Sequence, residues 1–161
     1  MISNEVRATL QIVCRALNKY EVDCMLVGGT AVAFYGYQRI SGISVSDNPE
    51  IKIDHDFWYN PTNENFINLL KALSDLRVDV SDLEKIVFDP QKTFLKIPHK
   101  TFHTDFLPQM KGLLSYRDCK MNSERILLDG NELYIISKAD LLINKKEVSR
   151  DIDKRDIDSL R

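Results

Sequence analysis

The chain has 161 residues, 43% of them hydrophobic, which is enough for a single domain, 1–161, with one sizeable core. Charged residues make up 29%, as 22 basic against 24 acidic, so neither a disordered polyelectrolyte nor a protein held on nucleic acid by bulk charge fits, though a small basic groove does. The longest apolar runs, such as Ala31 to Tyr35, fall far short of the ~20 residues of a membrane span, and the polar start at Ser3 with Glu5 does not read as a signal peptide. Cys14, Cys24 and Cys119 are odd in number and widely spaced, which predicts free thiols and a cytoplasmic, membrane-free protein.

Val6, Leu10, Val13 and Leu17 recur at helical spacing and predict a helix over Ser3 to Lys19. Cys24 to Val27 reads as a strand ended by Gly28-Gly29, and Thr30 to Tyr37 as a second helix. Gln38 to Glu50 reads as a loop or loose hairpin anchored by Ile43 and Val45. Ile51 to Trp58 is a strand, broken at Asn60-Pro61-Thr62. Thr62 then caps a helix with Phe66, Ile67, Leu70 and Leu73 on one face.

A short helix or turn follows over Ser81 to Ile86, then strands at Thr93 to Ile97 and Thr101 to Leu107, divided by Pro98. Asp129-Gly130-Asn131 between Ile126–Leu128 and Leu133–Ile136 is a hairpin signal. Ser137 and Asp140 form a capping box for a helix carrying Leu141, Leu142 and Ile143. A charged segment, Arg150 to Arg161, completes a C-terminal helical region, 138–161, read as a solvated face. The expected class is α/β (α+β), a mixed sheet flanked by helices.

The chemistry concentrates in Asp54-His55-Asp56. Strand side chains alternate, so Asp54 and Asp56 share one face, while Ile53, His55 and Phe57 share the other. Two like charges ~7 Å apart on one strand face repel, and a bound Mg²⁺ relieves that; two solvated aspartates on an edge strand are the alternative. Gly28-Gly29-Thr30 sits where a strand meets a helix. There, glycines admit a close ligand, helix-start amides attract phosphate, and Thr30 adds a hydroxyl; an ordinary tight turn reads the same way.

Asp105 lies within a strand-like run, where aspartate is uncommon. If its strand neighbours that of Asp54, three carboxylates converge, a set that holds two Mg²⁺ for phosphoryl chemistry. His55 faces the core and reads as a packed histidine. His99 and His103 read as surface or supporting groups, with His103 on the Asp105 face. Tyr35, Tyr37 and Trp58 could stack a nucleobase, although packing is the commoner use of such rings.

A longer pattern joins these pieces. Gly28-Gly29-Thr30-Ala31, Gly36, Arg39 and Ser41 precede Asp54-His55-Asp56-Phe57-Trp58 and the Asn65 helix. Downstream come Asp140-Leu141-Leu142-Ile143-Asn144-Lys145-Lys146 and then Asp153, Asp156 and Leu160. In this order, over nearly the whole length, the sequence resembles the polymerase-β-like nucleotidyltransferase superfamily. It is more closely similar to the small bacterial group of abortive-infection and toxin–antitoxin nucleotidyltransferases. Departures are an insertion over residues 43–53, which leaves 24 residues between Gly29 and Asp54, Ser41 in place of Thr, and His55 between the aspartates.

The resemblance implies that Asp54, Asp56 and Asp105 are catalytic and bind two Mg²⁺ ions. It implies that Gly28, Gly29 and Thr30 cradle a nucleoside triphosphate, with Arg39 or Lys145 contacting the phosphates. It further implies transfer of a nucleoside monophosphate to a hydroxyl of an RNA or protein acceptor, and a partner antitoxin. Lys145 and Asp153 or Asp156 match positions with functional roles in the related toxins. The alternative is a catalytically inactive nucleotide-binding or protein-interaction module of the same fold. A phosphohydrolase with a nucleophilic first aspartate fits poorly, because Phe57-Trp58 follows Asp56 where such enzymes want D-x-D-x-[TV].

Overall fold

A computed structural model describes residues 3–36, 53–148, 157, 158 and 160. The expected loop over Gln38 to Glu50, with Arg39, Ser41 and Tyr37, lies outside the described residues, as do Asp153 and Asp156.

Helix α1 spans Asn4–Lys19, with Ser3 capping it by accepting from the Val6 amide. Val6, Leu10, Val13 and Leu17 are its buried stripe, as their spacing predicts. Strand β1 (Cys24–Val27) runs without a linker into α2 (Gly28–Tyr35). The glycines therefore belong to the first turn of α2 rather than preceding it.

Strand β2 (Ile53–Tyr59) is followed by α3 (Asn63–Asp75), capped by the Thr62 hydroxyl at 3.2 Å from the Asn65 amide. The buried face of α3 is Phe66, Leu69, Leu70 and Leu73, and Ile67 is 53% exposed. This corrects the expected stripe: the spacing i, i+3, i+4, i+7 counted from Phe66 selects Leu69 and turns Ile67 outward.

A 3₁₀ turn, Leu83–Lys85, leads to β3 (Leu95–Pro98) and β4 (Phe102–Leu107). Helix α4 (Tyr116–Asn122) was not anticipated; its signal is Ser115, whose hydroxyl accepts from the Asp118 amide. Strands β5 (Glu124–Leu128) and β6 (Asn131–Ile135) form the expected hairpin. Asp129 and Gly130 both have positive φ (50° and 84°), the two-residue turn that matches strand twist. Helix α5 (Lys138–Val148) begins with the Ser137 hydroxyl accepting from the Asp140 amide, 3.1 Å. The last residues are not wholly solvated: Ile157 and Leu160 are buried.

The six strands form one mixed sheet in the order β3-β4-β2-β1-β6-β5. β2 runs parallel to β4 and antiparallel to β1, and β1 runs parallel to β6. With the five helices defined among the described residues this is the mixed-sheet α/β architecture the sequence predicts. One sheet face carries His55, Phe57 and Tyr59. It meets α1 through Thr9 and α3 through Phe66. On the other, Trp58 packs edge-on against Tyr116 of α4, centroids 5.4 Å apart.

Cys14 and Cys119 are buried and Cys24 half-buried, all free thiols. Burial pushes Cys14 up to about 12, so it is not an available thiolate.

Candidate active site

Parallel pairing of β2 with β4 places Asp54 opposite His103 and Asp56 opposite Asp105. Alternation then puts Asp54, Asp56, His103 and Asp105 on one sheet face. Across the antiparallel β1–β2 pair, Asp56 stands opposite Val27, the residue before Gly28. One half-buried carboxyl thus lies between the β1–α2 junction and Asp105.

Gly28 is fixed by this arrangement. Its φ is +69°, and a Cβ there would lie 3.0 Å from both Cβ and Cγ of Asp56 and closer still to its Oδ2. No side chain fits without displacing the carboxylate.

Asp56 is pushed up to about 7 by burial, by the Asp105 and Asp54 charges, and by a hydrogen bond only its protonated form donates to Asp105. Lys145 opposes the rise. Asp105 is raised by burial, with Lys96 pulling down and Asp54 pushing up. Lys96 stands opposite Asp105 on β3. With both carboxyls ionised, Asp105 Oδ1 is buried without a donor. Asp54 is the outer member, its side chain 62% exposed, with His103 Nδ1 3.4 Å from its Oδ1.

Lys145 arrives from α5, and its residue is only 5% exposed. It lines a pocket of about 200 Å³ with Gly28, Asp56, Gln109, Lys111 and Asn144. Lys111 was not anticipated, since nothing local marks a lysine in the β4–α4 loop. A larger groove, about 760 Å³, lies along α3 beside Ile67, Leu70 and Phe88; none of the expected site residues lines it.

Thr30 is placed differently from its expected use. Its hydroxyl lies 3.1 Å from the Asp54 carbonyl and 3.3 Å from His55 Nδ1, turned into the core. His55 is the packed histidine expected, fully buried, with Nε2 2.7 Å from the Thr9 hydroxyl. Burial, with the His99 charge, brings it down to about 4, so it is neutral. Tyr35 donates to the Ile136 carbonyl, and Trp58 Nε1 to the Pro108 carbonyl. His99 stacks on Phe102 and lies 2.8 Å from the Thr104 hydroxyl.

The donor set suits a hard cation. It is all oxygen, it carries more charge than its surroundings neutralise, and one buried oxygen lacks a donor. Among the described residues, however, no three His, Cys, Asp or Glu side chains are gathered closely enough to hold an ion as they stand. The strong pair is Asp56–Asp105, with Asp54 at the rim. Mg²⁺ is commonly held by one or two carboxylates plus waters and substrate phosphates.

No family model matches the chain, and no curated protein matches it.

Proposed function

We propose that the protein is a Mg²⁺-dependent nucleotidyltransferase that moves a nucleoside monophosphate from a triphosphate to a hydroxyl of RNA or protein. The supporting observation is the in-register Asp56–Asp105 pair beside a glycine that admits no side chain. Asp54, Asp56 and Asp105 would hold the metal, which neutralises phosphate charge as it develops. Gly28 lets the Asp56 carboxylate lie against the β1–α2 backbone, and Lys145 adds a cation to the pocket that both line. The Asp105 carboxylate, in register with Asp56, would take the proton of the acceptor hydroxyl. The new bond joins the acceptor oxygen to the α-phosphorus, the bond between that phosphorus and the bridging oxygen breaks, and pyrophosphate leaves. Positioning and charge complementarity supply most of such a rate enhancement.

The decisive experiment incubates the protein with each α-labelled nucleoside triphosphate, MgCl₂, and total cellular RNA and protein. Labelled RNA or protein with the wild type, absent with Asp56→Asn, supports the reading. Absence of label with tight triphosphate binding favours the inactive nucleotide-binding module. Neither label nor binding removes both.

A further inference from the structure

The pocket behind Asp56 has two lysines from different parts of the chain. Lys145 comes from α5 and Lys111 from the β4–α4 loop, and both line the same 200 Å³ with Gly28 and Asp56. The loop is fastened to the helix that presents Lys145. Asn144, 7% exposed and one residue before Lys145, donates its Nδ2 to the Lys111 carbonyl at 2.9 Å. Gly112 follows with φ +79°, so close to α5 that a Cβ would sit 3.0 Å from the Glu147 Cβ. The two lysines are therefore set in place together.

The size of the pocket limits what it holds. Sites for whole drug-sized ligands start at ~300 Å³. At about 200 Å³ the pocket is smaller than that and holds part of a nucleotide, and its two lysines suit the phosphate part. Among the described residues no aromatic side chain lines it.

We infer that Lys111 and Lys145 together anchor the polyphosphate of the nucleoside triphosphate, with Asn144 positioning Lys111, and that this pocket reads phosphate and not the base. The inference rests on the proposal that the Asp56 face binds a nucleotide.

Calorimetry in MgCl₂ tests it, using ATP, GTP, CTP, UTP and inorganic tripolyphosphate as probes. In the wild type all five should bind within about threefold of one another, since no aromatic side chain among the described residues lines the pocket. Lys111→Ala should weaken every probe roughly ten- to hundredfold, the loss of one charge-assisted contact. Lys111→Arg should restore most of it, and Asn144→Ala should fall between. Lys111 is exposed, so its variants should keep the wild-type circular dichroism and melting temperature. If the triphosphates bind and tripolyphosphate does not, or if Lys111→Ala binds as the wild type does, the inference is overturned while the nucleotide-site proposal stands. If the wild type binds none of the five, both fall.

Discussion

Asp56 and His55, neighbours in β2, are held away from their ordinary protonation behaviour in opposite senses, one on each face of the sheet. The Asp56 carboxyl is lifted to about 7 by burial and by Asp105 and Asp54. The His55 imidazole is lowered to about 4 by burial, with His99 contributing. The folded state therefore holds the Asp56 proton more tightly than the unfolded chain does, and accepts the His55 proton less readily.

The signs determine a pH experiment. The Asp56 contribution to stability is full below about 4 and is lost as pH rises towards 7. The His55 contribution is full above about 6.5 and is lost as pH falls towards 4. They are worth up to about 4 kcal/mol for Asp56 and about 3 kcal/mol for His55, and between pH 4.5 and 6.5 they oppose. Urea midpoints of the wild type should be nearly level there. Asp56→Asn should unmask stability that rises with pH, and His55→Gln stability that falls. Parallel curves for all three proteins would refute the assignment.

At pH 8, above the value of about 7 to which it is pushed, Asp56 is ionised beside Asp105. MgCl₂ at millimolar concentration should raise the wild-type melting temperature by several degrees, following mass action on the folded state. Asp56→Asn should melt higher than the wild type without metal, because a repelling charge is gone, and should respond little to Mg²⁺. A variant that is both less stable and still Mg²⁺-responsive would contradict this.

Gly28→Ala should be costly. The added methyl meets Asp56 Cβ and Cγ at 3.0 Å and φ is +69°, so we expect a loss of about 1–3 kcal/mol. Triphosphate affinity should fall as the carboxylate is displaced. Thermal unfolding alongside calorimetry measures both, and an unperturbed Gly28→Ala protein would argue against the close approach.

Trp58→Phe should cost about 1 kcal/mol, the loss of the Nε1 hydrogen bond to the Pro108 carbonyl, with triphosphate affinity unchanged. A marked loss of affinity would return Trp58 to a base-stacking role. On α3, Ile67→Ser should be within about 0.5 kcal/mol of neutral, whereas Leu69→Ala should cost about 2–5 kcal/mol, readable in denaturant melts.

Much of this was legible in the residues because it depends on short-range periodicity. The α1 stripe, the Thr62 cap, the Asp129-Gly130 turn and the shared face of Asp54 and Asp56 all follow from spacing. Parity also put His103 beside Asp105. What parity cannot supply is register between strands, so the pairing of Asp56 with Asp105 rather than with His103 or Leu107 emerges only on folding. Thr30 has the right chemistry for phosphate, but His55 and the Asp54 carbonyl compete for its hydroxyl from a strand distant in sequence. Lys111 gives no local signal, because its role depends on Asn144 and Gly112 meeting across a loop.

The direct passage from Val27 into Gly28, with a carboxylate pressed against the glycine, leaves no slack between the interior and the acidic face. Small displacements of β1, such as those caused by trimming its own Met25 or Leu26, should be transmitted to Asp56 instead of being absorbed by a connecting loop. Substitutions remote from any ligand should then register as altered affinity before they register as unfolding, and drift in the core should be tolerated least along this one strand.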